Sequence, residues 1–419
     1  MGKFYFVSVL AVLIYLFSFS GCGENPIDLK KNIFNPEIQG SLKDTTLYAI
    51  EDTTYHITSK INTQLSSYLF IGQSNGLTAY PAFEFYDFTA IPDSATIQGA
   101  SLILTAASVN YTEAGKSFTA TAYPILNQWN SNVDSVWNTQ NYDPAQPLGE
   151  MQISSDPADS VATLDFNTAG LEKIIFWADT ANLDENYGFI LHFQSADFLR
   201  YFYALNSGYN PSLIVSYTLP SSAEVLKDTI PPGLDAFIYS GQLPKVEQRD
   251  YASSLFVYNT LLKFDMGHFM DKFPNGVVIN SANLEVPVDK DNSIIKIGLA
   301  NLIVENLKSA IGNDSVEVDS TAGDFVSLSQ WSEDSTYLEI TPGLDRQKLA
   351  RNFIQPQLRD TSQYPGLAIN FINSAASGSA LSNAQSFYSY VAFYKRSQQN
   401  SALKPRLKLT FWVPPAPRF

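Results

Sequence analysis

The chain has 419 residues, with 41 acidic against 26 basic side chains and a formal net charge of −15. A single cysteine excludes an intrachain disulfide and a zinc–thiolate cluster, and no stripe of Lys or Arg offers the phosphate-neutralising surface that nucleic acid requires. Stability therefore rests on burial: 45% of residues are hydrophobic, 28 Phe and 23 Tyr among them, enough for two cores rather than one.

Taken in chain order, residues 1–21 read as a secretory signal peptide. Lys3 is followed by an uncharged apolar run from Phe4 to Phe19, then by the small residues Ser20 and Gly21. The sequence "FSGC" ending at Cys22 resembles the lipobox of bacterial lipoproteins, with Phe19 where a leucine or small branched side chain is usual. That resemblance implies lipidation of Cys22 and a membrane held by acyl chains, in a bacterial cell envelope, at the outer membrane or cell surface. Residues 22–44 then form a tether.

The body reads as two copies of one plan, residues 45–219 and 234–414, joined by a Pro- and Ser-rich linker at 220–233. "IPDSATIQGASLILTA" (91–106) answers "FPNGVVINSANLEVPV" (273–288), pairing Pro92 with Pro274, Ile97 with Ile279, Ala100 with Ala282 and Leu102 with Leu284. "NYGFILHF" (186–193) answers "YPGLAINF" (364–371), with Gly188 opposite Gly366, and "NPSLIVSYT" (210–218) answers "KPRLKLTFW" (404–412). Each copy alternates apolar and polar residues in short runs between Gly, Pro, Asn and Asp, the pattern of antiparallel strands with one buried face. In the second copy Ala282, Leu284, Val286 and Val288 face one way, and Asn283, Glu285 and Asp289 the other. One short helix is expected per copy: Leu171, Ile174, Ile175 and Ala178 at helical spacing, and a second helix opened by Thr341-Pro342. The fold class is all-β, two tandem antiparallel jelly-roll β-sandwiches.

The motif order "YLFIG" (68–72), "AFEFYDF" (82–88), "IPDSATIQGASLIL", "QWNSNVDSVWN" (128–138), helix, Gly-led strand and "NPSLIVSYT" resembles the DNRLRE domain. That family is a jelly-roll sandwich of bacterial surface and secreted proteins, some of them carbohydrate-binding modules. The second copy meets the family's strand motif with "LLKFDM" (261–266) but lacks the paired tryptophans, offering "IVENLKSAIGNDSVEV" (303–318) instead. The resemblance implies a non-catalytic binding protein with polysaccharide, or another surface protein, as partner.

Candidate chemistry is sparse. "GQSNG" (72–76) fits a nucleophile-elbow pattern, yet strand-like residues follow Ser74 where a helix is required, so a hairpin is expected. "AGKS" (114–117) lacks the first glycine of a phosphate loop. His56, His192 and His268 show no metal-ligand spacing, and His192 sits outward in its strand. The carboxylate-rich stretches 178–186 and 319–324 leave a structural Ca²⁺ open, and no other cofactor is indicated. Trp129 and Trp137 are the ligand-binding candidates: each ring either stacks on a sugar face or packs over an open sandwich end. Three functions follow in order: glycan binding, structural or adhesive contact with other proteins, and hydrolysis or elimination on polysaccharide by paired carboxylates.

Overall fold

A computed structural model describes residues 40–56, 63–107, 115–129, 140–294, 302–312, 316–318, 325–328, 336–359, 361, 364–371 and 388–415. Residues 1–21, read above as a signal peptide, lie outside the described residues, as do Cys22 and Trp137. Among the described residues no helix is long and apolar enough to cross a membrane.

The architecture is all-β. In chain order the first half carries β1 (Ser41–His56), β2 (Tyr68–Ser74), β3 (Leu77–Glu84), β4 (Thr96–Thr105), β5 (Ser117–Pro124), β6 (Gly149–Ser154), β7 (Val161–Phe166), helix α1 (Thr168–Ala178), β8 (Phe189–His192), β9 (Leu199–Tyr203) and β10 (Ser212–Thr218). The second half carries β11 (Val225–Ile230), β12 (Leu234–Gly241), β13 (Arg249–Ser253), β14 (Tyr258–Phe264), the short helix α2 (Met266–Asp271), β15 (Val278–Ile294), β16 (Leu302–Asn306), β17 (Phe325–Ser327), β18 (Tyr337–Glu339), helix α3 (Leu344–Lys348), β19 (Leu367–Phe371), β20 (Tyr390–Tyr394) and β21 (Arg406–Val413).

Strand pairing repeats between the halves. In the first sandwich one layer runs β11-β10-β4-β7 and the facing layer runs β12-β3-β8-β5-β6, with β2 and β9 paired beside β3. In the second, β21-β15-β18 faces β14-β19-β16-β17, with β13 and β20 paired. Matched glycines sit at matched places. Gly188 (φ +74°) approaches the Phe83 carbonyl so closely that a Cβ would lie 1.8 Å from it, and Gly366 (φ +122°) meets the Leu262 carbonyl in the same way at 2.6 Å. Only glycine takes that backbone at that distance.

The domain boundaries differ from the expected ones, because each copy surrenders its leading strand to the other. β1 pairs through residues 41–48 with β21 and then, past a bulge between Ala49 and Glu51, through residues 49–56 with β14. Both partners belong to the second sandwich. The supposed linker contains β11, which pairs with β10; β12, assigned by sequence to the second copy, pairs over its whole length with β3 of the first. Pro231-Pro232-Gly233 turns the corner that the bulge turns in β1. The two leading segments share a sequence, "SLKDTT" (41–46) against "VLKDTI" (225–230). A tether ending at residue 44 is likewise corrected, since residues 41–44 are already strand.

The helices are partly as expected. Asn167 caps α1, its side chain accepting from Gly170 N at 2.9 Å. The second helix starts later than Thr341-Pro342 implied: Gly343 (φ +90°) precedes α3, which runs on as a widened turn over Leu349–Ile354. α2 has no counterpart in the sequence reading.

One apolar cluster spans both halves. Phe70, Phe237 and Tyr201 of the first sandwich pack with Tyr251, Leu255, Phe256, Tyr388 and Tyr390 of the second. The Tyr388 hydroxyl donates to the Asn75 carbonyl at 2.8 Å, and the Tyr239 hydroxyl to the Leu255 carbonyl at 3.0 Å. The second sandwich has its own core of Leu262, Phe264, Leu284, Val304, Ile369, Leu407 and Phe411.

Two buried carboxylates lie on or beside the exchanged strands. Burial pushes Asp235 up to about 7, although its Oδ2 accepts from Leu205 N at 2.7 Å. Burial pushes Asp250 up to about 6 against the opposing pull of Lys395; its Oδ1 accepts from Thr54 on β1 at 3.0 Å.

Two outcomes are expected. A chain beginning at residue 57 leaves the edges of β21 and β14 unpaired; its second sandwich should be digested first in limited proteolysis read by mass spectrometry. Its melting midpoint should drop by more than about 10 °C, as each kcal/mol moves a domain of this size by about 2–4 °C. Because both aspartates have pKa values raised above those of the unfolded chain, the folded form binds more protons between about pH 4 and pH 7, and stability falls as pH rises through that window. Asp235→Asn should therefore raise the midpoint at pH 8 and have little effect near pH 4, checked by thermal melts across that range.

Candidate functional site

The outer face of the first sandwich gathers aromatic side chains from separate strands. Tyr80 on β3 and His192 on β8 stack with ring centroids 4.6 Å apart and planes 5° apart. Tyr142 lies 5.5 Å from the imidazole, and Tyr123 on β5 meets it edge-on at 6.4 Å. Period-two alternation explains the gathering: Phe189, Leu191 and Phe193 point into the core, which leaves Ile190 and His192 on the opposite face.

His192 is outward, as its place in the strand predicts, but half-buried rather than solvated. Burial lowers its pKa, so at neutral pH the ring is uncharged, with one nitrogen donating and one accepting. Burial likewise raises the Tyr80 and Tyr142 phenols, with the neighbouring tyrosines adding to the effect, and keeps both protonated.

Beside this cluster opens a cleft of about 600 Å³, lined by Tyr123 and His192 together with Ser117, Thr119, Thr121, Glu150 and Gln194. Its lining combines flat rings with hydroxyl, carboxamide and carboxylate groups. Asp197, part of its lining, forms an ion pair of 2.8 Å with Lys116.

Trp129 is packed rather than presented. Only 9% exposed, it sits among Ala82, Ile125, Tyr142, Ile190 and Ile238, and its Nε1 donates to the Tyr187 carbonyl at 2.8 Å. The second copy shows why. An isolated bridge between Ile125 and Tyr142 returns the Trp129 segment to the sheet, and a bridge between Leu307 and Val318 does the same in the second half. There Ile311 and Val316 pack on Leu261, Leu307 and Ala368 where Trp129 packs on Ala82 and Ile190. An aliphatic pair holds the equivalent place, so burial is the shared demand. Trp129→Ala would remove a buried indole at a cost of about 3–5 kcal/mol, which makes it a stability variant rather than a ligand probe.

Ser74 is a hairpin residue: Asn75 (φ 49°) and Gly76 (φ 80°) turn β2 into β3, the geometry of an Asn-Gly type I′ turn. His56 stacks on Tyr258 at 4.5 Å. Of the two stretches considered for calcium, 319–324 lies outside the described residues. In 178–186 the Asp179 carboxylate accepts from Ala181 N, while the Asn182 and Asn186 amides donate to the Phe176 and Phe85 carbonyls. These groups tie down a turn and do not converge. Among the described residues no group of three or more His, Cys, Asp or Glu is placed to hold a metal ion.

No family model, curated protein or solved structure matches this chain.

The sequence reading missed Tyr80, Tyr123 and Tyr142 as partners of His192. Their signal was weak: tyrosines at alternate positions in strands distant along the chain, indistinguishable from core residues until pairing is known.

Proposed function

We propose that this protein is a non-catalytic, lipid-anchored binding protein of a bacterial cell envelope, and that the cleft beside His192 takes glycan. The observation that supports the reading most is the pairing of an uncharged imidazole–tyrosine cluster with a wall of hydroxyl and carboxamide groups. A pyranose presents C–H patches to the negative face of a ring and hydroxyls to donors and acceptors at its edge, and the cleft offers both. The motif order resembling the DNRLRE domain supports the same class of ligand. In this reading Cys22 carries the lipid, and the intact mass of membrane-extracted protein reports it: a diacylated chain beginning at Cys22 is expected, and an unmodified amino terminus removes the anchor.

The second reading is a structural or adhesive protein. It is favoured by the strand exchange, which makes two sandwiches one stiff spacer.

Affinity electrophoresis against a panel of polysaccharides separates the two. Glycan binding predicts retardation on at least one polysaccharide, weakened about tenfold or more by Tyr123→Ala or His192→Ala with the melting temperature checked in parallel. Mobility unchanged across the panel favours the spacer, and release of reducing ends or unsaturated sugars would show an enzyme instead.

A further inference from the structure

The second sandwich presents a different open surface, on the layer formed by β1, β21 and β15. Here the register places outward side chains in successive rows. Leu42, Trp412 and Val278 form the first; Asp44, Thr410 and Ser281 the next; then Thr46, Lys408 and Asn283; then Tyr48, Arg406 and Glu285, with Glu339 of β18 beyond. Rows two residues apart along a strand lie about 7 Å from one another, so the series extends about 20 Å.

Three observations make this surface more than a solvated sheet. It holds a cleft of about 660 Å³, bounded on one side by Asp44 and Thr46 and on the other by Glu339 and Arg346. Its first row is apolar and open: Leu42 is 63% exposed and Val278 52%, with the partly exposed indole of Trp412 between them. Gly40 lies so close to that indole that an added Cβ would be 2.2 Å from it, so a larger residue there would displace the ring. Third, Asn283, a nine-tenths-buried member of the lining, donates through Nδ2 to Glu339 at 3.0 Å and Glu285 at 3.3 Å, while its Oδ1 has no donor. A buried acceptor left unmatched costs about 1–3 kcal/mol.

The charges define the ligand class. Arg406 and Lys408 each lie 2.5 Å from Glu285, and Arg346 lies 2.8 Å from Glu339. Burial works to raise the Glu285 carboxyl, but hydrogen bonds from Lys408 and Arg406 outweigh it and hold it below the usual carboxylate range. Asp44 accepts from the Thr410 hydroxyl at 2.6 Å. Each cation of the groove thus already has a carboxylate partner, and the three cations balance Glu285, Glu339 and Asp44. An anionic ligand would have to displace a paired carboxylate, whereas an uncharged polyhydroxyl chain can bridge the existing donors and acceptors.

We propose that this groove is a second glycan site, taking an uncharged pyranose chain with Trp412 and its apolar neighbours against the C–H face of a sugar. The ligand class rests on the glycan reading of the protein; the site does not use the His192 cleft. Where one polymer reaches both sites, losing either lowers apparent affinity for polymer more than for a short oligomer.

The test uses the chain from residue 22 with Cys22→Ser. The probes are mixed-linkage glucan, xylan and galactomannan as neutral polymers, with alginate and polygalacturonate as charged ones. Trp412→Ala should weaken retardation on a bound neutral polymer about tenfold. Thr46→Trp, which fills the groove from an exposed position and deletes nothing, should do the same should Trp412→Ala fail to fold. Either variant combined with Tyr123→Ala should abolish retardation. Retention unchanged in Thr46→Trp overturns the groove while a loss in His192→Ala upholds the cleft. Loss in the groove variants with His192→Ala unaffected does the reverse. Stronger retardation on the polyuronates than on any neutral polymer overturns the ligand class, and no retardation on any probe removes both sites.

Discussion

The constraint on which the rest depends is the exchange of leading strands. A sheet edge carries unpaired N–H and C=O groups, and a sandwich has such an edge on both of its layers. Here β11 and β12 cover the edges of β10 and β3 in the first sandwich, and the single long strand β1 pairs with β21 and β14, one in each layer of the second. Each closing element must bend between layers, and each does so by its own means: a bulge at Ala49–Glu51 in β1 and a Pro-Pro-Gly corner between β11 and β12. Because each closing strand comes from the other copy, neither sandwich is complete by itself. The shared cluster around Tyr251, Phe256, Tyr388 and Phe237 seals the junction. What would have been two beads on a linker is one body.

The two sandwiches present outer surfaces of different chemistry. Tyr80 and Asn259 each lie three residues before the carbonyl that meets the matched glycine of their sandwich, Phe83 or Leu262; His192 and Asn370 each lie four residues after that glycine. Tyr123 and Glu305 occupy matching places opposite Ile190 and Ala368. The first copy therefore carries a Tyr–Tyr–His face where the second carries Asn, Glu and Asn. In the second, Asn370 donates to Glu305, both are buried, and Ile311 and Val316 pack on the apolar residues beside them. That buried amide–carboxylate contact lies within the packed layer, although the Asn370 Oδ1 has no donor. The second copy's open polar surface is on its other layer, where Glu285 draws Arg406 and Lys408 together.

Electrostatics follow the same division between satisfied and strained burial. Asp289 is held below the usual carboxylate range, because hydrogen bonds from Asn292 and Arg249 outweigh a desolvation that works to raise it. Asp235 has a single backbone donor and one oxygen with none, and burial dominates. The difference is the Arg249 cation and the additional donors at Asp289, against the deeper burial of Asp235.

Period-two alternation, turn residues and internal repetition were enough to establish an all-β chain of two similar halves, since they reflect local backbone geometry and the demand that one face of each strand be buried. The Asn75-Gly76 hairpin and the helix capped by Asn167 were legible for the same local reason. The sequence also contained the repeated "LKDT" of the two leading strands, yet nothing local says which sheet a strand joins; a strand's hydrogen-bonding edges are the same whichever copy it meets. Only the tertiary structure decided that β1 and β12 cross over, that Glu285 and Asp289 are buried ion-pair partners with Asn283 buried beside Glu285, and that Trp129 is packed while Trp412 stands partly open. Those outcomes depend on which chain segments come to lie over a strand, and that is a property of distant residues rather than of the strand itself.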